Sequence, residues 1–91
     1  MTALFFVRKQ GEPIEVQTQE GVSKRCSIEL QAFGKKDFEA SFVADLWGND
    51  AGCRYYSGDL VVATLHFRVR EHEGRSFQNV QVKEIDRKSV V

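Results

Sequence analysis

Proline and cysteine are scarce in this chain: Pro13 stands alone, and Cys26 and Cys53 lie far apart in no C-x-x-C pattern. A secreted disulfide scaffold of this size carries roughly four or more cysteines. The pair therefore reads as reduced thiols in a soluble cytoplasmic protein, with Cys26 a small buried apolar side chain. No apolar run approaches the ~18 residues a membrane helix needs, and no basic n-region leads into an apolar stretch at the N-terminus. There is no P-loop, nucleophile elbow or H-E-x-x-H, and Asp45, Asp50 and Asp59 are scattered, so an enzyme is not expected and no cofactor is called for. A metal site at His66 and His72 fails on reach, because six residues of extended strand separate them by ~20 Å. Net charge is missing too. The 13 basic and 13 acidic residues cancel, which weighs against nucleic-acid binding unless a basic face is set against an acidic one.

What is plentiful is aromatic side chain and strict alternation. Seven Phe, two Tyr and one Trp stand among 91 residues. From Asp37 to Trp47, Phe38, Ala40, Phe42, Ala44 and Leu46 share one face. Glu39, Ser41, Val43, Asp45 and Trp47 share the other, the period of a strand with one buried side. From Leu60 to about His72, Val61, Ala63, Leu65, Phe67 and Val69 form the apolar face, leaving His66, Arg68, Arg70 and His72 together on the opposite one. Residues 23–33 read as a strand with Cys26, Ile28, Leu30 and Ala32 inward. Residues 3–8 read as a first strand and residues 76–85 as a last. In that last strand Val80 and Val82 differ in parity from Phe77 and Ile85, a mismatch a β-bulge would reconcile. Pro13 ends the first strand, Glu73-Gly74 makes a tight hairpin, and residues 49–56 have room for one helical turn capped by Asn49 or Asp50. Five strands with little helix close most economically into a small barrel, all-β, occupying residues 1–91 as one domain. The OB barrel is the common five-stranded case, and an SH3-like barrel fits the periodicity as well.

Four segments in order carry a more specific signal. EPIEVQTQEG (residues 12–21), SFVADLWG (residues 41–48), GDLVVATLHFRVRE (residues 58–71) and the REHEGRSF hairpin (residues 70–77) stand in this sequence. Together they resemble the single-stranded DNA-binding (SSB) protein family and its short tail-less and primosomal relatives. The resemblance covers about residues 3 to 86. It implies a five-stranded OB-fold barrel with a short helical turn between the third and fourth strands, and single-stranded DNA as ligand. In that family the aromatic before the glycine of the third strand stacks on a base, and Trp47 matches it. The Arg-x-Arg of the fourth strand lies along the DNA path, matched by Arg68 and Arg70, and a frequent Trp two residues on is His72 here. The family's members associate through first strands and outer sheet faces, which implies a homodimer or homotetramer. The departures are a short connection over residues 33–37, a serine at position 41 where an aromatic is common, and no Gly- and Gln-rich stretch of the kind SSB uses to recruit partners.

Each candidate has a plain alternative. Trp47 offers a platform worth ~1–3 kcal/mol per stacked base, or it packs beneath the short helix or in a subunit interface. Arg68 and Arg70, flanked by His66 and His72, suit phosphate contact or stacking, or form a solvated face paired with Glu39 or Asp45. Phe77 and the Tyr55-Tyr56 pair offer further platforms, although a buried Phe and one core Tyr are the commoner outcome. Lys24-Arg25 and Lys35-Lys36 are placed at loop edges, where Arg25 would guide a strand. The expected site is thus Trp47, Arg68, Arg70, His72, Phe77 and Arg25, taking single-stranded DNA or RNA. The competing expectation is an OB module whose exposed face binds protein.

Overall fold

A computed structural model describes residues 1–34 and 41–88. In chain order these form β1 (Thr2–Gln10), β2 (Ile14–Thr18), β3 (Gly21–Ala32), β4 (Ser41–Trp47), α1 (Asn49–Gly52), β5 (Leu60–His72) and β6 (Arg75–Arg87). The expected positions of Lys35, Lys36, Phe38, Glu39 and Ala40 lie outside the described residues.

Strand order is β1-β5-β6-β4-β3-β2, and β1 also pairs with β3, so five strands close on themselves with β2 appended outside the ring. Closure comes from β1 serving two neighbours. Its residues Thr2 to Phe6 pair with β5 and its residues Phe5 to Gln10 pair with β3, with the register slipping between Val7 and Lys9. A bulge of this kind bends a strand and lets a small sheet turn the corner of a barrel. The last seam is a single parallel pair, Asp45 opposite Gln81, between β4 and β6. The remaining pairings are antiparallel.

The interior is made by Ile28, Leu30, Leu46, Val61 and Leu65, whose alternation points inward, joined by Phe5 and Val7 of β1, to which the sequence reading gave no facing. All seven are essentially inaccessible to solvent. Cys26 is buried among them as a free thiol, and Cys53 is exposed and also free. Of the two tyrosines, Tyr55 is buried and Tyr56 exposed. Burial pushes the Tyr55 phenol above its ordinary value of 10.0, with the nearby Cys53 and Asp50 adding to it. The loop carrying Tyr55 is tied to the barrel twice. The Gln10 amide donates to the Cys53 carbonyl at 2.8 Å and accepts from the Tyr55 N–H at 2.8 Å. Arg87 pairs through Nε with the buried Asp59 carboxylate at 3.2 Å, donates to the Arg54 carbonyl, and lies over the Tyr55 ring.

Three details differ from the sequence expectation. The segment after Pro13 is a strand, β2, paired with β3 from Ile14 opposite Arg25 to Thr18 opposite Gly21. The sequence pattern gives no strand there because the segment has no buried face: every residue in it is exposed or half-buried, so no core selects an alternating pattern. Counting β2, the helix follows the fourth strand, in the same connection that was expected to hold it. That helix is only four residues long, and the residue before it is Gly48, so neither Asn49 nor Asp50 caps it through a side chain. Among the described residues no helix is long and apolar enough to cross a membrane.

Candidate nucleic-acid interface

The β5–β6 register follows from its turn. Glu73 and Gly74 both have positive φ, 53° and 77°, the mirror-image turn whose twist matches that of the flanking strands. Counting outward from it sets His72 opposite Arg75, Arg70 opposite Phe77, Arg68 opposite Asn79 and His66 opposite Gln81. Cross-strand partners point to the same side of a sheet, so these eight side chains form one face. The expected bulge is present, with the register slipping between Thr64 and Leu65 so that Lys83 is the extra residue. It brings Ile85 into phase with Val82 and Val80. Phe77 is left out of that set, half-exposed on the arginine face rather than in the core.

A second group stands on β3 and β4. Arg25 is opposite Trp47, and its guanidinium carbon lies 5.7 Å from the centroid of the indole ring. The sequence reading had put Arg25 at a loop edge. It is well inside β3, because that strand begins at Gly21, and its neighbour on the other side is Ile14 of β2. Trp47 points out of the core, as its parity implied; it is half-buried, with its Nε1 covered and without a hydrogen-bond partner among the described residues. Gly48 follows with φ 63° and ψ −129°, a conformation that only glycine adopts without strain. It lets the chain turn into α1 directly after the Trp47 platform, while its N–H still donates to the Lys24 carbonyl at 2.9 Å.

The two groups share one surface. Asp45 precedes Trp47 by two positions on β4, so it faces the same way. Its partners are Ser27 on β3 and Gln81 on β6. The face therefore runs from Arg25 and Trp47 across Asp45 and Gln81 to Asn79, Arg68, Arg70 and Phe77. Arg68, Arg70, Asn79 and Gln81 line a cleft of about 250 Å³. Among the described residues no carboxylate forms an ion pair with Arg68 or Arg70, and the pairing with Asp45 considered from the sequence is not made. His72 stands at the outer end beside Glu73, at 3.7 Å. What matters for a neutral chain is distribution: Arg25, Arg68, Arg70 and Arg75 stand on this face around Asp45, while Asp59 and Asp86 are paired elsewhere with Arg87 and Lys88.

Of the six expected site residues, Arg68, Arg70 and Phe77 form one cluster and Arg25 with Trp47 another, while His72 is at the tip. Sequence reasoning missed Arg75, Asn79 and Gln81. The signal was present, since pairing outward from the Glu73-Gly74 turn places them opposite His72, Arg68 and His66.

No protein-family model and no curated protein matches the sequence. Solved structures do. The second OB-fold domain of replication protein A from Methanococcus maripaludis superposes with a TM-score of 0.69 at 19% identity, over 99% of this chain and 86% of that one. A small single-stranded DNA-binding protein from Streptomyces coelicolor superposes with a TM-score of 0.50 at 22% identity, over 97% of this chain and 92% of that one. At such identities the likeness is one of fold: the chain has the OB fold.

Proposed function

We propose that this OB domain binds single-stranded nucleic acid, DNA before RNA, without catalysing a reaction. Its ligand path is the β3–β4–β6–β5 face. The observation that carries the reading is the coincidence, on that one face, of a half-buried, outward-facing tryptophan with Arg25 over its ring and of a cleft walled by Arg68 and Arg70. Cationic groups that track a backbone, set beside aromatic faces on which bases stack, are what sequence-tolerant single-strand binding requires. Arg68 and Arg70 contact phosphates, Trp47 and Phe77 stack on bases, Arg25 holds the Trp47 ring, and His72 extends the path at the ribbon tip. A reducing, cytoplasmic setting accords with two free thiols.

Intrinsic fluorescence on titration with an unlabelled oligothymidylate tests this, since the chain has one tryptophan. Saturable quenching that weakens from low to moderate salt is the expected result. No quenching and no mobility shift in a folded sample would overturn it.

A separate observation favours association with a second copy. On the outer side of β1 the Phe6 and Phe33 rings pack against one another with centroids 5.3 Å apart. Beside them Leu4 stands opposite Val62, and both Phe6 and Phe33 remain substantially exposed. We propose that this apolar surface is covered in a homodimer, the unit from which a tetramer would be built. Light scattering at micromolar concentration is expected to give at least twice the chain mass, and a monomer would refute it.

A further inference from the structure

The cleft on the ribbon contains an unmet need. Asn79 is opposite Arg68 and diagonal to Arg70, and its Oδ1 is covered yet has no hydrogen-bond partner among the described residues. A covered acceptor left unpaired carries the full desolvation penalty of the group, so it favours any ligand that brings a donor. Around it the cleft offers the opposite chemistry: the guanidinium groups of Arg68 and Arg70 are donors only, while the Gln81 amide supplies one further acceptor and two donors. A well-matched occupant therefore presents adjacent acceptors to an arginine and, next to them, an N–H to Asn79.

Resting on the single-strand reading above, we infer that this cleft takes the edge of one base and that the base it favours is guanine. Guanine presents O6 and N7 side by side, the pair that an arginine fork grips in two parallel hydrogen bonds. Its N1–H and N2–H groups follow on the same contour, within reach of an acceptor beside that fork. Adenine offers N7 next to an amino donor, which opposes a second arginine donor. Thymine offers acceptors on both sides of its single N–H and no bidentate pair for one fork. Cytosine has adjacent acceptors but only one N–H-bearing group beside them, where guanine brings two. The domain then tolerates most sequences through stacking along the rest of the face and reads one nucleotide at Asn79, which acts as a specificity residue.

The test compares an oligothymidylate with the same oligonucleotide carrying a single central guanine, cytosine or adenine, with affinities read by fluorescence anisotropy of end-labelled strands. The guanine strand is expected to bind about tenfold more tightly than the all-thymine strand, the scale of one good bidentate base contact. Asn79→Leu, similar in size and lacking the acceptor, is expected to abolish that advantage, so that the guanine and all-thymine strands bind it alike. Equal affinity for all four strands, a preference for another base, or a guanine preference unchanged in the Asn79→Leu protein would each overturn the inference while leaving single-strand binding intact. Failure of every strand to bind would instead refute the proposed function on which the inference rests.

Discussion

The two halves of β5 are one continuous strand with one continuous pattern, yet they live in different environments. From Leu60 to Leu65 the residues alternate between half-buried and buried, and from His66 to His72 every residue is exposed. Phe67 and Val69 continue the apolar parity of Val61, Ala63 and Leu65, but they are 41% and 67% exposed. The inner half closes the barrel. The outer half, with β6, forms a two-stranded ribbon that extends past it for about 23 Å, taking ~3.3 Å per residue. A ribbon of two strands has no second layer to pack on and is marginal alone. Here it is anchored at its root by Phe42, whose ring packs edge-on against Phe67 at 6.0 Å and against Phe5 at 5.9 Å. Alternation reports which residues share a face. Whether another layer covers that face is decided by the strands on either side.

If stability resides in the barrel and ligand contact in the ribbon, substitutions two turns of the pleat apart should have separable effects. The largest is Leu65→Ala. Leu65 is completely buried, and truncating such a leucine costs about 2–5 kcal/mol through lost burial and the cavity left behind. Urea unfolding is expected to show that loss, while the fraction still folded binds oligothymidylate normally. Arg68→Ala with Arg70→Ala should do the reverse. The urea midpoint should hold to within about 0.5 kcal/mol, as for exposed residues generally. Affinity should fall ~10–100-fold, or ~1.4–2.8 kcal/mol. The slope of log affinity against log salt should shrink by about 1.4, at ~0.7 for each phosphate neutralised on a single strand. A stability loss comparable with that of Leu65→Ala would show that the ribbon and barrel are not energetically separate.

Much of this division could be read from residue order. Cys26, Ile28 and Leu30, or Val61, Ala63 and Leu65, alternate because one side meets the core, and so their strands and facing were legible. The bulge at Lys83 was legible as a conflict of parity between Val82 and Ile85. Phe77 was ambiguous because its parity admits both a core and a surface place, and only the register from the hairpin turn settles it opposite Arg70. Arg25 was misplaced for a different reason. The start of β3 is marked by pairing with β2, none of whose residues is fully buried, so no core-facing pattern announces it. Asn79 and Gln81 are ordinary polar residues in isolation, and their interest arises from what stands across the strand.

The remaining contrasts are smaller. Asp45 is the carboxylate set between the Trp47 group and the ribbon, paired with Gln81, and it opposes any phosphate crossing the face. A unit charge about 6 Å from a phosphate in a water-like dielectric contributes roughly 0.7 kcal/mol. Asp45→Asn is therefore expected to tighten oligothymidylate binding by about threefold at low salt, a gain that fades as salt is raised. Unchanged affinity at low salt would place the nucleic-acid path away from the β4–β6 seam and restrict it to the ribbon.

The smallest effect concerns the ribbon tip, where the comparison can be sharpened without touching a proposed contact. Glu73 is the first residue of the turn and has φ of 53°, a conformation that disfavours most side chains, whereas asparagine tolerates it and is the preferred residue at this place in such a turn. Its neighbour Gly74 already meets the same demand at φ 77°. Glu73→Asn relieves the strain and removes one negative charge next to His72. The stabilisation should be about 0.5 kcal/mol, seen as a small rise in the urea midpoint, because relieving a mildly strained turn returns a fraction of a ~1 kcal/mol penalty. The more telling readout is amide hydrogen exchange. If the ribbon frays independently of the barrel, protection should increase for the ribbon amides from His66 to Gln81 and stay unchanged at Ile28 and Leu30. An equal gain in both regions would mean that the ribbon opens only with the whole molecule, and that barrel and ribbon form one cooperative unit despite their different surroundings.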